Sequence, residues 1–289
     1  MTSAPPSRWI LTCSCPDVAG VLAKTTGFLY ERGAFLADVD SFSDRPTGRF
    51  FTRIVFGPAP GRTLEIERVR AEFAGLAQSL SFDWAIEDAQ RPCPTVIAVS
   101  KFGHCLNDLL HRWASGELPI DVRAVISNHE TFRDMVEWRQ IPFHHLPVTA
   151  DRKEEQEDKI LAVLEETGAE LLVLARYMQI LSDRVAARLS GRCINIHHSF
   201  LPSFKGARPY HQAYSRGVKI IGATAHYVTA DLDEGPIIEQ GVERVDHKAE
   251  PNDLVAIGRD IESVVLARAV KWHAERRIIC NGARTVVFR

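Results

Sequence analysis

Short apolar runs alternate with longer stretches of helical spacing along this chain, and the pattern changes character near residue 91. Before that point, Trp9 to Cys13 reads as a strand that ends at the turn residues Ser14-Cys15-Pro16-Asp17. Val18, Val21, Leu22, Thr25, Phe28 and Leu29 recur at helical spacing, and Gly33 stands where a C-terminal glycine would stop that helix. Phe35 to Phe42 and Phe50 to Phe56 read as strands joined by a turn at Asp44 to Gly48. A helix from about Leu64 to Leu80 follows the break at Pro58-Ala59-Pro60-Gly61, and Phe82 to Glu87 is a last strand. The order βαββαβ predicts a ferredoxin-like sandwich of roughly 80 residues.

Arg91-Pro92-Cys93-Pro94 marks the expected boundary, because two prolines flanking one residue interrupt a hydrogen-bonded ladder and favour a stiff connector. The expected domains are therefore 8–90 and 94–289. In the second, Thr95 to Ser100 precedes a helix from His104 to Ala114, and Val122 to Ser127 precedes a helix from Glu130 to Arg139. Phe143 to Leu146 is a short run, Asp151 to Glu166 a solvated helix, Leu171 to Ala175 a buried strand and Asp183 to Leu189 a helix. Strands follow at Cys193 to Ile196, Ile220 to Thr229 and Ile237 to Val245, then a helix capped by Asn252 or Asp253 that runs to about Arg276. This alternation predicts an α/β fold with a mostly parallel sheet, Rossmann-like, whose ligand sits at the carboxyl ends of the strands.

Composition narrows the function classes. A 289-residue chain with 45% hydrophobic and 25% charged residues has room for two cores. The formal charge of -2 supplies no basic stripe for nucleic acid. Cys13, Cys15, Cys93, Cys105, Cys193 and Cys280 lie scattered without a Cys-x-x-Cys pair, which predicts reduced thiols in a cytoplasmic protein and no zinc knuckle. Met1 to Arg8 has no signal-like apolar core, and no run approaches membrane-spanning length, so neither export nor a membrane partner is expected.

The chemistry concentrates between Asn195 and Glu239. Asn195 and His197 leave an extended strand on the same face, and Asp233 lies seven residues beyond His226. An amide donor, an imidazole and a carboxylate are the parts that attack on a carbonyl requires: donors for the oxyanion, a group that moves protons, and an anion that sets its charge. Taken singly, an Asn-x-His or Asp-x-Gly also fits a turn or a satisfied polar group. His197 and His198, being adjacent on a strand, point apart and chelate one ion poorly, so no metal is expected. Cys193 shares the face of Asn195, but its apolar setting offers nothing to activate a thiol.

In this order the two pieces resemble the folate-dependent formyltransferase family. His197-His198-Ser199-Phe200-Leu201-Pro202, with Phe204 following, Tyr210-His211-Gln212-Ala213-Tyr214, Gly222-Ala223-Thr224-Ala225-His226 and Asp233-Glu234-Gly235-Pro236-Ile237 carry the likeness. The resemblance implies a catalytic trio of Asn195, His197 and Asp233, with His198 and His226 in supporting places. It implies that the loop Arg176 to Leu181 holds a pterin ring, so that Met178, Gln179, Ile180, Leu181 and Val228 would bind folate. In relatives that formylate glycinamide ribonucleotide an arginine commonly stands in the place of Gln179, and Met178, Ile180 and Leu181 also fit a reading as core filler.

Ser100-Lys101-Phe102-Gly103-His104-Cys105-Leu106-Asn107 stands where a transferase acting on a ribonucleotide would need a glycine-rich phosphate turn. With one glycine and bulky neighbours, that acceptor site is expected to be missing. Hydrolysis of 10-formyltetrahydrofolate to tetrahydrofolate and formate, supplying one-carbon and purine metabolism, is then the implied reaction, with folate as substrate and no cofactor. Two alternatives stay open: formyl transfer to an amine without phosphate, and a non-catalytic folate- or amino-acid-sensing regulator. The N-terminal Cys15-Pro16-Asp17-x-x-Gly20-Val21 turn resembles an ACT domain, which implies a homo-oligomer and an amino-acid effector at Asp17 and Gly20. Equally, Asp17 could cap the helix and Gly20 could permit close packing.

Overall fold

The structure, a computed structural model, describes residues 7–201 and 209–289. The expected Pro202 to Gly206 segment, including Phe204, and the extreme N-terminus lie outside the described residues. The chain divides into two compact units: residues 1–91 with the tail stretches 275–281 and 286–289, and residues 92–274 with 282–285.

In the first unit, β1 (Trp9–Pro16), α1 (Val21–Glu31), β2 (Ala34–Asp44), β3 (Arg49–Pro58), α2 (Ile66–Ser79) and β4 (Asp83–Asp88) follow the expected order. They form an antiparallel sheet of order β2-β3-β1-β4. Its core sets Leu11, Ile54 and Phe56 against Phe28 and Leu29 of α1 and Phe73 of α2. Gly33 follows α1 at φ 81, a left-handed stop that L side chains resist. Gly20 is the N-terminal cap residue of α1, with φ 86 and no side-chain cap, so Asp17 does not cap this helix. Nothing lies within 4 Å of a Cβ built on Gly20, so backbone conformation rather than close packing calls for glycine there.

The second unit holds β5 (Cys93–Val99), α3 (His104–Ala114), β6 (Ile120–Ser127), α4 (Arg133–Glu137), β7 (Phe143–His145), α5 (Lys153–Thr167), β8 (Leu171–Leu174), α6 (Asp183–Arg188), β9 (Cys193–His197), α7 (Pro209–Ser215), β10 (Ile220–Tyr227), β11 (Ile237–Arg244) and α8 (Pro251–Ala274). The sheet runs β11-β10-β9-β8-β5-β6-β7. Strands β5 to β9 pair in parallel, whereas β10 is antiparallel to both β9 and β11. A β12–β13 pair (Ile278–Asn281, Arg284–Val287) ends the chain.

Several local expectations change. Pro94 lies inside β5 opposite Asp121 rather than in a connector. It precedes the first β5–β8 partners, Thr95 and Leu171, so its missing N–H breaks no bond on that side, and its carbonyl still accepts from Glu170. The helix expected over Glu130 to Arg139 is confined to α4. Helix α5 is amphipathic rather than solvated, burying Ile160, Leu161, Val163 and Leu164, although Glu154 and Glu155 at its start are exposed. Asp253 caps α8 from within the first turn, its carboxylate accepting from the Glu250 N–H at 2.9 Å.

Because side chains alternate along a strand, Cys193 of β9 faces the core made by α5 and α6, together with Val96, Ala98 and Leu172. Helix α8 packs against β9, β10, β11 and α3. All six cysteines are free and all but Cys280 are buried. Among the described residues no helix is long and apolar enough to cross a membrane.

Candidate active site

Strand β9 carries Asn195 and His197 to its carboxyl end on one face. The neighbouring β10 sets His226 directly opposite Asn195 in the register. The loop after β10 returns Asp233, at φ 58, to both histidines. His197 Nδ1 lies 3.2 Å from Asp233 Oδ1, and His226 Nε2 lies 3.7 Å from the same oxygen. The hydrogen bond from His197 holds the Asp233 carboxyl well below the usual carboxylate range, against the opposing effect of burial.

The tautomer of His226 follows from its partners. Nδ1 lies 2.9 Å from the Tyr227 carbonyl, which only accepts, so Nδ1 carries the proton. In that tautomer Nε2 is an acceptor, and the Asn195 Nδ2 amide donates to it at 3.2 Å. This fixes which end of the amide is nitrogen and leaves its second N–H available to donate. Gly235 makes the arrangement possible, because a Cβ there would stand 1.8 Å from the Tyr227 oxygen. His197 Nε2 is buried and has no hydrogen-bond partner among the described residues.

These groups line a cavity of about 590 Å³. Its walls include Met178, Gln179, Ile180 and Leu181 from the loop after β8, and Val228 and Leu232 from the loop after β10. Met178 and Ile180 are 50% and 59% exposed, so neither is core filler, whereas Leu181 belongs to the main core. The loop is pinned at its start, where Ser100 Oγ accepts from the Met178 N–H at 3.0 Å and the Ser100 N–H donates to the Arg176 carbonyl at 3.2 Å. Arg176 adopts φ 63, an uncommon conformation for a side-chain-bearing residue.

A second polar cluster lines the same cavity, and pattern reading did not single it out. Glu262 of α8 is 1% exposed. Its Oε1 accepts from Tyr210 at 2.7 Å, while Oε2 lies 2.7 Å from His104 Nε2 and 3.4 Å from Arg176 Nε. Burial would raise this carboxyl, but His104, Arg176 and Tyr210 outweigh it and hold the group below its ordinary value. Contrary to the expectation that the two rings point apart, His198 lies just beyond the end of β9, where strand alternation no longer holds, and its ring stands 5.3 Å from that of His197 and 6.3 Å from that of Tyr210. Burial first, then the Arg176 and His197 charges, push His198 down to about 4. Glu262 was detectable in principle, since it follows Leu254 and Gly258 at four-residue intervals on the buried stripe of α8.

His104, Cys105 and Glu262 also place three metal-ligand atom types within 4.8 Å of one another. Burial pushes the Cys105 thiol up, and both Glu262 oxygens already have partners, so the trio fits the hydrogen-bonded network better than an ion. In the first unit, Asp17 and Gly20 border an open depression of about 520 Å³ beside Val21, Thr26 and Phe50.

Comparison with known proteins adds independent information. The formyl transferase family matches residues 94–270. The formyltetrahydrofolate deformylase of Corynebacterium sp. (strain P-1) is 50% identical over 282 residues, covering 98% of this chain and 98% of that one. The crystal structure of the formyltetrahydrofolate deformylase of Burkholderia mallei ATCC 23344 superposes with a TM-score of 0.94 at 51% identity, covering 98% of this chain and 100% of that chain. A glycinamide ribonucleotide transformylase from Symbiobacterium toebii superposes with a TM-score of 0.66 at 27% identity, covering 70% of this chain and 97% of that one.

Proposed function

This chain belongs to the formyltetrahydrofolate deformylases within the formyl transferase family, and on that premise we infer that it hydrolyses 10-formyltetrahydrofolate to tetrahydrofolate and formate. The observation that carries the catalytic assignment is the 3.2 Å pair of His197 with Asp233, joined to Asn195 through His226.

Water attacks the formyl carbon, and negative charge develops on the formyl oxygen. The free Asn195 N–H and a protonated His197 Nε2 donate to that oxygen, each contributing roughly 3–4 kcal/mol to the transition state. Asp233 Oδ1 is committed to His197, which leaves Oδ2 to take a proton from the attacking water. The water oxygen forms the new C–O bond, the C–N10 bond breaks, and the proton ends on N10. Formate and tetrahydrofolate then leave.

The folate ring is assigned to Met178, Gln179, Ile180, Leu181 and Val228, whose backbone groups read its donor and acceptor edge within a largely apolar wall. The exposure of Met178 and Ile180 supports that seat. Six free thiols support a reducing, cytoplasmic setting, where the products feed one-carbon and purine metabolism. The first unit, residues 8–90, is assigned as the ACT-like module beside a catalytic domain at 94–289. Its long edge strand β2 exposes Phe35, Val39 and Phe42, which supports pairing between copies in a homo-oligomer. The depression at Asp17 and Gly20 is the seat for an amino-acid effector, and calorimetric titration with the common amino acids giving no heat would remove that role.

The decisive assay follows tetrahydrofolate by absorbance and formate by coupled reduction, with no amine present. Stoichiometric release of both supports hydrolysis. Product formation only when an amine is added would favour formyl transfer, and no turnover would favour a folate-sensing regulator.

A further inference from the structure

We infer that Glu262, held by His104, Tyr210 and Arg176, is a specificity-determining seal that bars amines from the catalytic pair, so that water is the nucleophile admitted to the formyl carbon. The inference rests on the deformylase reading above and says how that outcome is enforced.

Four elements converge on this carboxylate: α3 through His104, α7 through Tyr210, the loop after β8 through Arg176, and α8 itself. The cluster borders the catalytic groups, because His198 bridges from His197, at 5.3 Å between ring centres, to Tyr210, at 6.3 Å. On the proposed assignment, the walls after β8 and β10 are given to folate. An amine acceptor would therefore have to lodge along the Glu262 wall to reach the formyl carbon.

Among the described residues, that wall holds no free carboxylate for an acceptor's ammonium group, and the buried Arg176 Nε, which has no hydrogen-bond partner, brings a positive charge that repels one. A free buried carboxylate would bind an ammonium group, but both oxygens of Glu262 are already engaged. Exposed loop N–H groups would bind a phosphate, but the loop after β5 is packed with side chains instead. The Phe132 ring approaches to 2.4 Å of where a Cβ on Gly103 would stand, so the space beside that backbone is filled. Phe102 lies under the Arg176 and Arg259 guanidinium groups, at 5.6 and 5.9 Å from its ring centre. An acceptor would have to displace His104 or Tyr210 from Glu262 and leave that buried carboxylate short of a partner, which is a basis for exclusion.

The test supplies glycinamide with 10-formyltetrahydrofolate and measures by mass spectrometry how the formyl group divides between formate and N-formylglycinamide. In the transfer reaction the amine nitrogen forms the new C–N bond, the C–N10 bond breaks, and the proton lost by the amine ends on N10. The full-length chain is compared with His104→Ala, which opens the wall, and with His104→Ala/Glu262→Gln, which opens it without leaving a bare carboxylate. The parent chain should form N-formylglycinamide at the uncatalysed rate, and the opened variants at least about tenfold above it.

Melting temperature and tetrahydrofolate affinity report whether each variant is folded and can seat folate. His104 is the more accessible partner, at 18% side-chain exposure, so the single variant keeps the test available if the double one fails to fold. Folded variants that bind tetrahydrofolate and still form no more N-formylglycinamide than the parent would overturn the seal. So would a parent chain that formylates glycinamide as well as the variants do. A parent chain that releases no formate without amine would instead sink the hydrolase reading itself.

Discussion

Replacing Asp233 with asparagine removes one negative charge and almost no volume. In the parent chain Oδ1 lies 3.2 Å from His197 Nδ1 and 3.7 Å from His226 Nε2. A carboxylate and an imidazolium roughly 4 Å apart attract by about 4 kcal/mol at an effective dielectric near 20. At about 1.4 kcal/mol per factor of ten, that is an upper limit near a thousandfold on what the lost charge costs in turnover. Loss of the general base alone costs about a hundredfold at the low end. Asp233→Asn should therefore lower kcat by about 100- to 1000-fold, with KM for 10-formyltetrahydrofolate nearly unchanged, because the folate walls are untouched. Single-turnover release of tetrahydrofolate, with the melting temperature as a control, measures this. A folded variant within about fivefold of parent turnover would refute the assigned role of Asp233, since neither charge nor base could then matter.

Three further outcomes are expected. His226→Phe removes the acceptor that orients Asn195 and should lower kcat by about 10- to 100-fold; adding Asn195→Ala should cost much less than it does in the parent, and fully additive losses would break the link. Gly235→Ala forces a Cβ to 1.8 Å from the Tyr227 oxygen, so it should cost roughly 3 kcal/mol of stability, and an unchanged urea midpoint would contradict the close approach. His198 stays neutral in the folded chain until about pH 4, whereas in the unfolded chain it takes up a proton below its ordinary 6.5. The unfolded state therefore binds the extra proton in that window, and stability falls as pH drops through it, by about 2 kcal/mol between pH 7 and pH 5. His198→Gln should remove that much of the acid sensitivity, and urea titrations of equal pH slope for the two chains would exclude His198 as its source.

Much of the fold was legible because its signals are local. Alternation and helical spacing need only neighbouring residues, so the βαββαβ order, the stop at Gly33 and α3 from His104 to Ala114 match the structure closely. The misreadings came where context overrides local rules. Pro94 entered β5 because the adjacent β8 had not yet begun, and α5 was taken as solvated because its charged start hides the apolar stripe behind it. Asn195, His197 and Asp233 stood out through motif and resemblance, although spacing alone could not tell whether they meet.

The chain's own order of residues determined the secondary structure and the stock of candidate site residues, because each of these depends on neighbours along the backbone, whereas the grouping of the tail residues 275–281 and 286–289 with the first unit was not legible there. Only the tertiary structure decided the partnerships. Antiparallel β10 sets His226 across from Asn195, the left-handed turn at Asp233 aims its carboxylate at two histidines, and α8 brings Glu262 to His104 from more than half the second unit away in sequence. Such contacts arise from strand register and helix packing, and these depend on the whole core closing at once.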